Sequence, residues 1–437
     1  MVLSPVEQQL VEAIASRRDQ LMALTCELIR FDTSARAVGD KARDESDLQH
    51  YLAQRLGHAG ATVDVWEPAG NDVAGKPLVP PGLDFDGFPQ LIARFAGHGT
   101  GRSLLLNGHI DVVSAEPLVG WTSGPYQPEV RDGLLYGRGA CDMKGGIAAM
   151  VFAAEILAQQ GVRLAGDLLI NTVTEEETTG AGGVATVAHG VRADGAVVTE
   201  PTSLDVGIAF RGSTLATVTV PGRAGHATAV QPHWTDDGAV NAIEKSVLVL
   251  DALRRLRDEW RGRPDRRHPY LPAPNVLVTA MTAGQWEVSY PASASLSCHV
   301  TYLPASADDR GGAGAVQREV EDWLLAAAQS DPWLAEHPVT VAWGPDCPPA
   351  EVSADESIVG VVRAVGKDLG RGGALAGADF WSDAVTFNRL AATPAVVAGP
   401  GSVKVAHTVD EYVPTDDLVA CAQAVALTAL RFCGTVP

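Results

Sequence analysis

LLLNGHIDVVSAEPLVGWTSGPYQPEVRDGLLYGRGACDMKGGIAAM, residues 104–150, is the stretch from which the rest of the chain is read. Leu104–Leu106 has the composition of a short buried strand, and it turns polar at Asn107-Gly108-His109. A carboxylate, Asp111, follows two residues after the histidine. Further on, Gly137-Arg138-Gly139 leads to a second carboxylate, Asp142, beside Lys144-Gly145-Gly146, and an apolar helical run from Ile147 to Gln160 comes next. A His and an Asp, each presented by glycine-rich backbone at the edge of a hydrophobic element, suit a metal site. Glycine permits the tight turns and close approaches that such a site needs. An Asp two positions after a ligand His is spaced to orient the imidazole.

The bulk composition sets the frame. The chain has 437 residues, 46% of them hydrophobic, enough for a large core and more than one domain. Its formal net charge of −20 argues against a nucleic-acid partner. The six cysteines are scattered without CxxC pairs, which favours reduced thiols and a cytoplasmic protein. The first residues mix Glu7, Glu12, Arg17 and Arg18 with apolar positions and so read as an amphipathic helix, not a signal peptide. No uncharged run reaches membrane-spanning length, so no membrane association is expected.

Working outward, residues 4–31 read as one helix with an apolar stripe through Leu10, Ile14, Leu21, Leu24 and Leu28. A helix over 45–58, strands over 61–66, 91–95 and 104–106, and a hairpin turning at Asp132-Gly133 follow. The strand 167–174 runs into Glu175-Glu176-Glu177, and the strand 196–199 into Glu200-Pro201. This repeated order predicts an α/β fold with a mixed, mainly parallel sheet and helices on both faces. In such sheets, polar groups gather at the carboxyl ends of the strands. Glu176, Glu177 and Glu200 thereby become neighbours of His109 and Asp142.

From Val206 the pattern changes to βαββαβ: a strand 214–220, a helix 238–260, strands 275–281 and 293–302, a helix 315–328 and a strand 339–343. We read residues 206–346 as an inserted α+β lid domain, and 1–205 with 347–437 as the metal-binding domain. In the last stretch, His407 again follows a strand end, at 395–398.

The candidates are thus His109 and His407 with Asp142, Glu177 and Glu200. Nitrogen and oxygen donors without thiolate suit zinc, cobalt or manganese. Five ligands exceed what one catalytic zinc with an open position needs, but they suit two ions sharing a carboxylate. Two ions about 3.5–4 Å apart can share a hydroxide and polarise a carbonyl. Glu176 is then placed as the general base that takes the water's proton and returns it to a leaving amine.

The words GHIDVV, YGRGACDMKGG, TEEETTG, TEPT, GRAGHA and AHTVDE, spread over most of the chain, resemble the metallohydrolase family of acetylornithine deacetylase, succinyl-diaminopimelate desuccinylase, aminoacylase and glutamate carboxypeptidase. The resemblance implies that His109, Asp142 and Glu200 hold one metal while Asp142, Glu177 and His407 hold the other. Asp111 would orient His109, and Glu176 would be the base. His226 on the inserted domain would reach the site of a partner subunit in a homodimer and stabilise the oxyanion, and Asn275 would contact substrate. A cis peptide is implied at Asp142–Met143. Two departures stand out: Glu175 replaces the commoner Asp, and the strand 293–302 lacks the arginine with which many relatives grip an α-carboxylate.

The expected function is di-metal hydrolysis of an amide, removing an N-acyl group from an amino acid or related small amine. A deformylase or deacylase of an amine lacking an α-carboxylate, and a dipeptidase or carboxypeptidase, are the alternatives within hydrolases. A non-hydrolytic binding relative would have no need to keep both base and ligands. His299, Cys298 and Cys141 read as packing residues, and the basic run 254–267 as a solvated helix end and loop. Gly180 to Gly183 lacks the lysine and spacing of a phosphate loop.

Overall fold

The computed structural model describes residues 3–35 and 41–436. They fall into two compact units: residues 1–208 with 351–378 and 382–437, and residues 209–350 with 379–381. The divisions therefore fall after 208 and after 350, where the pattern placed them after 205 and after 346. At the first of these the reason is pairing: the strand that starts at Val206 joins the larger unit's sheet, with Gly207 opposite Val397.

In the larger unit the sheet runs Thr62–Trp66, Gln90–Phe95, Leu168–Val173, Leu104–His109, Gly195–Pro201, Ala395–Gly399 and then the strand from Val206. The four strands from Leu168–Val173 to Ala395–Gly399 are parallel to one another, and antiparallel strands flank them. Every residue of Leu104–His109, Gly195–Pro201 and Ala395–Gly399 is buried, as expected of strands covered on both faces. The fold is the mixed α/β arrangement expected from the alternation of elements.

Leu104–His109 is longer than the apolar triplet suggested, because the Asn107 amide nitrogen finds a partner inside the sheet. Asn107 donates to the Asn171 side chain on the adjacent strand at 2.8 Å, and Asn171 donates onward to the Leu91 carbonyl at 2.8 Å. The helix expected over 4–31 is two helices, Pro5–Ala15 and Arg18–Ile29. At the break the Ser16 hydroxyl and the Arg17 guanidinium both donate to the Ala13 carbonyl, at 3.1 and 3.0 Å. Side-chain donors competing for a carbonyl in this way favour a turn over continued helix.

The helix Lys144–Gln159 is apolar nearly all round and buried along most of its length. Its amino-terminal end lies against the sheet because Gly146 has no side chain: a Cβ there would sit 2.3 Å from the Thr199 carbonyl oxygen. That approach brings the residues before the helix, Asp142 among them, to the carboxyl edge of the parallel strands. The Glu129–Arg131 and Leu134–Tyr136 hairpin turns at Asp132 and Gly133, both at positive φ, and Tyr412–Pro414 adds a third strand to it.

The smaller unit is a four-stranded antiparallel sheet in the order Val276–Ala283, Ser293–Tyr302, Gly212–Pro221, Thr340–Cys347. Helices Ala242–Gly262 and Gly314–Ala328 enclose a separate core with it, around Val218, Leu253, Leu256, Trp260, Leu296 and Val316. The first helix starts four residues later than its expected position, where the Asn241 side chain caps it by accepting the Ile243 N–H at 3.0 Å. Among the described residues no helix is long and apolar enough to cross a membrane.

Candidate metal centre

Parallel strands deliver their last residues to one edge, and here that edge is acidic. His109 ends its strand, and its register partner Val173 is followed at once by Thr174 and the three glutamates. Glu200 is the next-to-last residue of its strand, and His407 lies in the turns between Ala395–Gly399 and Tyr412–Pro414. Asp142 arrives from the hairpin side. All of these belong to the larger unit.

Asp142 faces both imidazoles. Its Oδ1 lies 3.1 Å from His109 Nε2 and its Oδ2 lies 3.3 Å from His407 Nε2. Glu200 Oε1 is 3.8 Å from His109 Nε2, and Glu177 Oε1 is 3.2 Å from His407 Nε2. Glu176 Oε2 sits 4.0 Å from His109 Nε2. Donor atoms of His109, Asp142 and Glu177 lie within 4.8 Å of one another. The peptide between Asp142 and Met143 is cis.

The orientation of His109 differs from the expected one. Its Nδ1 hydrogen-bonds to the main-chain carbonyl of Asp111 at 2.8 Å, while the Asp111 carboxylate is 3.8 Å away and accepts the Glu177 N–H at 3.0 Å. A carbonyl can only accept, so Nδ1 donates to it, and Nε2 is the ring nitrogen turned toward Asp142 and Glu200. Glu175 and His407 hold left-handed backbone, with φ of 62° and 60°. Non-glycine residues in that region cost about 1–3 kcal/mol and cluster at functional sites.

The electrostatics follow from crowding. Burial pushes Glu176 well above the usual carboxylate range, with Glu200 and Glu177 adding to the rise against His109. Burial likewise raises Glu200, with Asp142 beside it. Burial alone would raise Asp142 too, but the two imidazoles outweigh it and hold that carboxyl below its ordinary value. His407 is raised to about 10 by its hydrogen bonds to Asp142 and Glu177. A pocket with this excess of carboxylates over imidazoles fits divalent cations, which would offset the mutual repulsion.

His226 and Asn275 belong to the smaller unit. His226 is exposed on a two-residue strand, its Nδ1 bonded to the Thr228 hydroxyl at 2.9 Å. Asn275 precedes the strand Val276–Ala283, and its side-chain oxygen is buried without a hydrogen-bond partner. As the sequence indicates, the strand Ser293–Tyr302 carries no arginine.

Sequence reading missed three buried groups around the centre. Arg138 and Glu411 form an ion pair at 2.6 Å, and both oxygens of Asp383 are buried without hydrogen-bond partners. Burial raises Asp383 to about 7. Arg138 and Glu411 stood inside the recognised words, but no spacing rule links residues so far apart, and nothing local distinguishes Asp383 from a helix-capping aspartate.

Residues 105–431 match the model of peptidase family M20/M25/M40. The chain belongs to this family. Among curated M20/M25/M40 relatives, it is similar to N-formyl-4-amino-5-aminomethyl-2-methylpyrimidine deformylase of Halalkalibacterium halodurans, 26% identical over 95% of this chain and 94% of that one. It is also similar to succinyl-diaminopimelate desuccinylase of Gluconacetobacter diazotrophicus, 32% identical over 79% of this chain and 85% of that one. Human carnosine dipeptidase 1 shares the fold, with a TM-score of 0.73 at 15% identity over 98% of this chain and 99% of that one. As an M20 member the chain is a hydrolase of amide bonds in a metal-dependent family, and a possible metal site lies at His109, Asp142 and Glu177.

Proposed function

We propose that this M20 protein is a two-metal amidohydrolase that removes an N-acyl group from a small amine. The observation that carries the reading is the position of Asp142, one oxygen toward each imidazole. In this assignment His109, Asp142 and Glu200 hold one ion, and Asp142, Glu177 and His407 hold the other. Zinc suits the donors best, with cobalt or manganese as substitutes. Two such ions would lower the pKa of a water and draw electron density from the amide carbonyl.

The chain's own groups then handle protons and orientation. Glu176, buried beside His109, accepts the proton of the attacking water and passes it to the leaving amine nitrogen. Asp111 fixes His109 through its carbonyl and the Glu177 backbone through its carboxylate. His226 is the proposed donor to the oxyanion in a homodimer, and Asn275, with its unpartnered oxygen, the proposed substrate contact. Six free cysteines support a reducing, cytoplasmic setting.

A second reading concerns the amine. The arginine-free strand Ser293–Tyr302 and the deformylase likeness over nearly the whole chain favour a substrate without an α-carboxylate, such as an N-formyl aminomethyl heterocycle. A dipeptide or peptide carboxyl terminus, which presents that carboxylate, is disfavoured by the same strand. The test is a hydrolysis screen on zinc-loaded protein with N-formyl-aminomethylpyrimidine, N-acetyl and N-succinyl amino acids and dipeptides, repeated after chelation. Chelator-sensitive release of amine from the N-acyl compounds supports the proposal. Hydrolysis that survives complete metal removal overturns it, and preference for the carboxylate-bearing substrates overturns the second reading.

A further inference from the structure

The loops bearing Asp142 and His407 leave the same end of one pair of antiparallel strands. Leu134–Tyr136 pairs with Tyr412–Pro414, Tyr136 opposite Tyr412. The Asp142 loop follows the first strand, and the His407 loop precedes the second. Glu411 stands at that junction, with its carbonyl accepting the Gly137 N–H at 3.0 Å. Its side chain is wholly buried and points into the other loop. Glu411 Oε1 accepts two consecutive backbone amides, Cys141 at 2.8 Å and Asp142 at 3.1 Å. Its Oε2 takes the Arg138 guanidinium at 2.6 Å, and Arg138 spends its other arm on the Ser114 carbonyl at 3.2 Å.

Resting on the two-metal reading above, we propose that Glu411 is a positioning residue: it locks the Asp142 backbone so that this carboxylate presents one oxygen to each ion, and so couples occupancy of the two sites. A carboxylate that must face two partners at once tolerates little rotation of its main chain. Two N–H groups converging on one buried oxygen remove that rotation. The same residue is four positions from His407, so any shift of its loop is transmitted to both ends of the bridge. Arg138, paired with the Glu411 carboxylate at 2.6 Å, offsets part of the cost of burying it. Outer residues of this kind tune metal affinity about 10–100-fold when removed.

The test separates the acceptor from the buried charge. Glu411→Met with Arg138→Met removes both charges and the acceptor while keeping apolar bulk. Glu411→Gln with Arg138→Met removes the charges but keeps an acceptor oxygen for the two amides. Each is titrated with zinc in competition with a chromophoric chelator, and with cobalt, whose absorption reports ligand geometry. The expected result is that the Met pair binds the second ion about 10–100-fold more weakly with an altered cobalt spectrum, while the Gln pair returns toward wild type. If the Met pair does not fold, Glu411→Asp, which keeps the charge pair but shortens the arm, is expected to show the same loss. Wild-type two-ion affinities and cobalt spectra in the folded Met pair, or failing that in Glu411→Asp, overturn the inference alone. Uptake of a single ion by the wild-type protein overturns the two-metal reading and this inference with it.

Discussion

The Asp111 carboxylate accepts the backbone N–H of Glu177 at 3.0 Å, while its main-chain carbonyl holds His109 Nδ1 at 2.8 Å. One residue thus steadies a proposed ligand of each ion, its side chain bonding the glutamate backbone while standing 3.8 Å from the histidine ring nitrogen. Asp111→Ala is expected to weaken metal binding about 10–100-fold, whereas Asp111→Asn, which keeps an acceptor oxygen, should lose much less. Chelator competition measures both, and wild-type affinities in both variants would separate Asp111 from the centre.

Glu176 is buried and raised by its surroundings, which suits a group that must both take and give a proton. Glu176→Gln is expected to keep wild-type metal content by elemental analysis and to lose about 10²–10⁴-fold in turnover. Turnover at the wild-type level would remove Glu176 from the reaction.

A methyl group at Gly146 would meet the Thr199 carbonyl at 2.3 Å, so the helix after Asp142 cannot keep its place. Gly146→Ala should destabilise the protein by about 1–3 kcal/mol, read from denaturant unfolding. Because Thr199 adjoins Glu200, metal affinity should fall with it. An unchanged unfolding midpoint would mean that the helix yields at no cost.

In metal-free protein, His407 is raised from its ordinary value to about 10. A raised folded-state value contributes stability that is complete below the unfolded value near about 6.5 and is lost as pH climbs through about 10. The melting temperature of the metal-free protein should therefore fall between these limits more steeply than that of His407→Ala. Protons also compete with cations for both imidazoles, so zinc affinity should drop as pH falls. Parallel pH slopes in wild type and His407→Ala would dissociate His407 from either effect.

Much of the architecture could be read directly. The helix Glu45–His58, the hairpin at Asp132-Gly133 and the parallel strands ending in His109, the glutamates and Glu200 all follow from local periodicity and turn chemistry. The break at Ser16–Arg17 and the strand's continuation through Asn107 did not, because each depends on where one polar side chain finds a partner.

What the sequence by itself determined is the kind of chemistry: acidic and imidazole groups set at strand ends, in an order shared with one hydrolase family. Those features are local, and every one is carried by residues a few positions apart. Only the tertiary structure decided which oxygen of Asp142 meets which imidazole, that Asp111 reaches His109 by its carbonyl, and that Glu411 clamps a loop 269 residues earlier in the chain. Such geometry arises when distant segments pack against one another, and at that range sequence spacing carries no information about side-chain direction.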